Sequence, residues 1–119
     1  MELRAWPRPD WEPLPYEGCL NVEGKVIFWD DETLGLALLR FAEHGTIHEH
    51  PGRNDTLVAC IEGSGFTSVG DKTAELRAGR LVVWPQGVPH RLWTEGSTML
   101  TLMVERPAAS GAAFGERAA

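Results

Sequence analysis

Turn-forming residues interrupt this chain so often that no long helix has room to form. From Gly24 onward, β-prone runs fall at Lys25–Asp30, Leu34–Phe41, Ile47–His50, Thr56–Glu62, Gly65–Val69, Ala74–Leu76, Leu81–Trp84, His90–Trp93 and Met99–Glu105. Between them lie Asp30 to Thr33, Pro51-Gly52, Gly63, Gly70-Asp71, Gly79, Pro85 to Gly87 and Glu95-Gly96. Gly, Pro, Asn and Asp at such joints supply the backbone angles that chain reversals need. Short strands, closely spaced turns and no amphipathic helix predict an all-β sandwich or barrel.

The N-terminal stretch has a different character. Pro7, Pro9, Pro13 and Pro15 alternate there with Trp6 and Trp11, and prolines at that density exclude a helix or a central strand. Residues 1–23 are expected to be an extended arm whose aromatics lie on the body of the domain or on a partner subunit. Residues 24–106 would form the barrel. Residues 107–119, a small-residue tail, would fray unless Phe114 docks it.

A chain of 119 residues makes one domain. Its formal charge of −6, with no basic run, gives nucleic-acid binding no electrostatic footing. The longest apolar runs, near Leu36–Leu39 and Leu102–Val104, are too short to cross a bilayer, and the start lacks the apolar stretch of a signal peptide. The expectation is a cytoplasmic protein without membrane partners. Cys19 and Cys60 show no metal or redox spacing and are expected to be reduced. The sequon at Asn54 carries no weight without a secretion signal. No P-loop lysine, nucleophile elbow or His-Glu-x-x-His helix occurs.

Chemistry concentrates on the histidines. His48 and His50 are two apart, so on a strand they point the same way, whereas on a helix they diverge. His44 stands four before His48, but Gly45, Thr46 and Ile47 between them disfavour a helical pair, and His44 reads as a turn residue. His90 arrives after the turn at Pro85-Gln86-Gly87, with Pro89 holding Val88 extended. A neighbouring strand could present it to the first two. Three imidazoles together make a transition-metal site with room for substrate or water, and they suit Zn, Fe, Mn, Ni or Cu.

Jointly, His48-x-His50 with an acidic residue soon after, then Gly79, Pro85, Gly87 and His90, resemble the two-motif signature of the cupins. The resemblance spans roughly residues 45–94 and implies a single-domain antiparallel jelly-roll barrel (a double-stranded β-helix). It also implies a divalent metal on His48, His50 and His90. Two departures stand out. Thr94 takes the place where the family usually has Asn. The family's glutamate after the second histidine is replaced by Asp55, while counting back from Gly63 puts the same slot on Thr56. Asp55 is therefore the candidate fourth ligand, or an acceptor for a histidine N–H, and the candidate catalytic carboxylate ahead of Glu62. Alternation along the strands suggests Phe41, Leu57, Ala59, Trp84, Leu92 and Met103 as pocket lining, with Gln86 and Arg91 as polar handles.

The cupin resemblance implies metal-dependent dioxygenation, isomerisation or decarboxylation of a small oxygenated molecule. The alternative is a non-catalytic domain that binds a small ligand such as a sugar without needing metal. The arm and the exposed strand edges suggest a homodimer with residues near Trp6–Tyr16 at its interface.

Overall fold

The computed structural model describes residues 1–107, so the expectation for Phe114 lies outside the described residues. Its strands are β1 (Arg8–Pro13), β2 (Leu20–Asp30), β3 (Leu34–Pro51), β4 (Asp55–Val69), β5 (Lys72–Arg77), β6 (Leu81–Trp84), β7 (Pro89–Trp93) and β8 (Met99–Arg106). All pair antiparallel, and no helix occurs among the described residues. This is the all-β barrel that the turn pattern predicts, in the jelly-roll form that the resemblance implies.

The turn pattern ends one strand at Phe41 and begins the next at Ile47. It also splits a second pair at Gly63. The structure instead runs straight through both places, as the 18-residue β3 and the 15-residue β4. Their first halves pair with β8 (Leu39 opposite Thr101, Ala59 opposite Leu102), and their second halves pair with β7 (Ile47 opposite Leu92, Thr67 opposite Leu92). Each long strand thus belongs to both walls of the barrel. Glycine here marks a bend within a strand, because the backbone groups at the bend still find partners. His44 adopts a φ of 56° yet its N–H donates to the Glu95 carbonyl at 2.9 Å. Gly45 N–H donates to Thr94 Oγ1 at 2.9 Å, and Thr94 N–H returns to the Gly45 carbonyl at 2.8 Å.

Alternation sends Ala37, Leu39 and Phe41 of β3, Val58 and Cys60 of β4, and Leu92 of β7 into the core. Phe41, Val58 and Leu92 are almost completely buried, each contributing about 1.5–3 kcal/mol relative to exposure. At one edge of the sheet lies β1, where proline costs no ladder hydrogen bond. Trp11 of β1 lies beneath the Arg40 guanidinium at 4.3 Å and the Lys25 ammonium at 4.9 Å, so this part of the arm rests on the body of its own domain.

Candidate functional site

His48 and His50 do not sit on an ordinary strand. Against β7, Ile47 pairs with Leu92 and His50 pairs with His90, so a step of three positions on β3 opposes a step of two on β7. The extra residue is a β-bulge, which breaks the strict two-residue alternation and re-aims side chains. Ile47, His48 and His50 consequently all border one cavity of about 810 Å³. Trp84, His90, Met103 and Glu105 line it from β6, β7 and β8, and Leu14, Tyr16 and Cys19 from the segment joining β1 to β2.

The imidazoles are grouped and oriented. His50 and His90 have ring centres 4.6 Å apart, and His48 and His50 5.8 Å apart. His50 Nδ1 lies 2.9 Å from its neighbour's carbonyl at His48, and His90 Nδ1 lies 3.2 Å from the Val88 carbonyl. A carbonyl oxygen can only accept, so each Nδ1 carries a hydrogen, and in the neutral ring it is Nε2 that holds the lone pair an ion would take. Trp84 backs the His90 ring and is itself held, its Nε1–H donating to Thr67 Oγ1 at 3.0 Å. Gly52, in the link after β3, admits the same ring, because a Cβ there would meet His90 Cε1 at 2.8 Å. Gly87 N–H donates to the Gly52 carbonyl at 2.9 Å, which ties together the turns that follow the first histidine pair and precede the third.

Electrostatics favour neutral imidazole at the buried end. His90, 3% exposed, has its pKa lowered to about 4, first by burial and then by the neighbouring His50, against the Val88 carbonyl. Glu105 moves the other way. Burial raises its pKa above the ordinary carboxylate range, although the Asn54 hydrogen bond and the His50 charge both pull it down. Asn54 Nδ2 donates to Glu105 Oε2 at 3.0 Å.

The structure separates the other sequence candidates. Asp55 is buried at the start of β4, accepts the Gln86 N–H at 3.4 Å and pairs in register with Arg106; it is not among the residues lining the cavity. Trp84 and Met103 do line it, whereas Phe41 faces a separate groove and Leu92 is packed in the core. Leu57 and Ala59 alternate with the inward Thr56, Val58 and Cys60, which puts them on the outer face of β4. Gln86 is exposed in its turn, and the Arg91 guanidinium lies over Trp93 at 4.2 Å. Glu62 borders the separate groove, of about 870 Å³. Glu105 is the residue the sequence reading missed. It stands two positions after Met103, and that shared parity was the available signal.

The donor set suits a transition metal. Two imidazoles on one ion, with metal–nitrogen bonds of about 2.0–2.1 Å, bring their ring centres to roughly 5 Å. The His50–His90 separation of 4.6 Å meets that, and the 5.8 Å from His48 to His50 is longer. Among the described residues, no group of three or more His, Cys, Asp or Glu side chains is arranged to hold an ion, so the donors on this cavity, Glu105 included, would have to turn inward to converge on one.

A family model described as the cupin domain matches residues 37–105. The chain belongs to the cupins, and the bent strands, the His-x-His bulge and the His90 turn are how that family's barrel is built here. Among solved structures it resembles the polyketide cyclase RemF from Streptomyces resistomycificus, with a TM-score of 0.78 and 19% identity over 89% of this chain and 80% of that one. It is also similar to KdgF from Halomonas sp., with a TM-score of 0.71 and 15% identity over 82% and 87% of the two chains. TT1209 from Thermus thermophilus gives a TM-score of 0.68 and 25% identity over 73% and 84%. No curated protein matches the sequence.

Proposed function

We propose that this cupin is a metal-dependent enzyme that acts on a small oxygenated organic molecule, with His48, His50 and His90 holding a divalent transition metal. The observation that carries the reading is three imidazoles on one cavity, two of them with Nδ1 committed to main-chain carbonyls and Nε2 left free. Such an ion, when bound, supplies Lewis acidity toward a carbonyl or enolate oxygen. The chain supplies the rest. Trp84 fixes the plane of His90, while Leu39, Ile47 and Met103 give the cavity apolar walls that exclude water from a bound molecule. The likeness to a polyketide cyclase supports an oxygenated substrate and an enzymatic role.

Protein without a His tag, stripped by a chelator and titrated with Zn(II), Ni(II) or Mn(II), tests the site. An ion at about 100 times its Kd should add roughly 2.7 kcal/mol to stability, and His48→Ala should lose that gain. No stabilisation by any of the three ions would overturn the proposal.

A second reading, a ligand-binding domain without an essential metal, draws support from the exposed position of His48 and the incomplete convergence of the donors. It requires small-molecule binding to survive chelation unchanged. Exposed Trp6, Tyr16, Leu20, Phe28 and Trp29 along the arm and β2 favour a homodimer in either case. Sedimentation of a Tyr16→Asp/Leu20→Asp variant, expected to be monomeric beside a dimeric wild type, tests that. No helix among the described residues is long and apolar enough to cross a membrane.

A further inference from the structure

We propose that Glu105, carried into the cavity by β8, is the carboxylate donor of the His48, His50 and His90 site. The inference rests on the metal-site reading above and goes beyond it by assigning the fourth donor. The sequence offers a carboxylate at Asp55 and an inward slot at Thr56, and the fold sets these on opposite sides of β4. Thr56 pairs in register with Trp84 on one neighbour and Glu105 on the other. Directly opposed residues of antiparallel strands share a face, and both Trp84 and Glu105 line the cavity. Thr56 therefore points inward but has no carboxylate, whereas Asp55 has the carboxylate on the other face of β4, opposite Arg106 in the register.

The anion missing from β4 is thus supplied one strand away, at the same level of the barrel. Glu105 stands on β8 between Gly35 of β3 and Thr56 of β4. The Trp29 ring lies over Gly35, where a Cβ would meet it at 2.3 Å, and gives the cavity an aromatic wall beside the carboxylate. Asn54 holds Oε2 through its Nδ2–H at 3.0 Å, which restrains the carboxylate. Asn54 lies in the short link that follows the bulged His48 to His50 segment, so the residue that anchors the carboxylate belongs to the same chain segment as two of the histidines. A carboxylate beside three imidazoles shifts such a site toward Fe(II) or Mn(II), which favour oxygen donors.

Competition against a chromophoric chelator gives the Kd for Mn(II) and Zn(II) in wild type, Glu105→Gln, Asp55→Asn and His90→Ala. Glu105→Gln should weaken binding about 10- to 100-fold, as loss of a supporting carboxylate does elsewhere, and Mn(II) should suffer more than Zn(II). Asp55→Asn should bind like wild type. Glu105→Asp, which keeps the charge but shortens the reach, should fall between wild type and Glu105→Gln and serves if the glutamine variant does not fold. Wild-type affinity in Glu105→Gln or Glu105→Asp, with His90→Ala losing the ion, would overturn the assignment and leave the three-histidine reading intact. Loss of affinity in Asp55→Asn with none in Glu105→Gln would also overturn it. A wild-type protein that binds neither ion would remove the site and the assignment together.

Discussion

The Trp84 indole lies flat against the His90 imidazole, ring centres 4.1 Å apart and planes 8° from parallel. Both rings are buried, and the indole N–H is bonded to Thr67, so the stack holds a potential ligand in one plane without contributing a donor itself. Trp84→Phe should keep an aromatic surface against His90 and lose the hydrogen bond, costing about 1 kcal/mol. Trp84→Ala should cost about 3–5 kcal/mol. Urea unfolding measures both, and an alanine variant within about 1 kcal/mol of wild type would contradict this role.

Acid should destabilise the fold through His90. Its pKa is 6.5 in the unfolded reference and about 4 in the fold. Above 6.5 both states are neutral there and the stability is fully present. Between 6.5 and 4 the unfolded chain takes the proton and the folded one does not, so stability falls as pH falls, by a total approaching about 3 kcal/mol. Below 4 this contribution levels off. Unfolding free energies measured from pH 7 to 4 should drop more steeply in wild type than in His90→Asn, and parallel curves would count against the assignment.

Gly18 is pressed against His48. Its φ is +81°, and a Cβ there would approach His48 Nδ1 to 2.5 Å. Gly87, at φ +78° with nothing near its missing Cβ, is a matched control. Alanine at either position should cost about 1–2 kcal/mol for the left-handed backbone. Gly18→Ala alone should also displace the imidazole and weaken metal binding by about 10-fold, the scale of lost ligand support. Calorimetric titration separates the two effects, and equal metal affinity in both variants would show that the arm does not position His48.

Thr94 clasps the bend of β3. Its Oγ1 donates to the Ala42 carbonyl at 2.5 Å and accepts the Gly45 N–H at 2.9 Å, and the residue is 3% exposed. Thr94→Val keeps the shape and leaves both backbone groups without this partner, so it should lose about 2 kcal/mol. Thr94→Ser should lose less than the valine variant. Thermal unfolding that ranks valine above serine would contradict the clasp.

Much of the barrel was legible because turn chemistry is local. Gly, Pro and Asp announced the reversals at Asp30–Thr33, Gly70-Asp71 and Pro85–Gly87, and strand type followed from the runs between them. The continuity of β3 and β4 was not legible. Whether Gly45 or Gly63 starts a loop or bends a strand depends on partners such as Thr94 and Glu95, nearly fifty residues away in the case of Gly45. The β-bulge between Ile47 and His50 is likewise a property of the β3–β7 register. Parity explains both the missed and the misplaced residues. Leu57 and Ala59 came from choosing one register on β4, and a shift of one residue exchanges its faces. On β8 the parity that put Met103 in the cavity also points Glu105 there, but only the register sets it opposite Thr56, the inward position of β4.

Elemental analysis of untagged protein beside a His48→Ala/His90→Ala variant tests most directly whether this barrel is a metal centre. Near-stoichiometric iron, manganese, nickel, copper or zinc in the wild type, lost from the variant, is the expected result. No metal in either protein after reconstitution, or the same metal content in both, would contradict it.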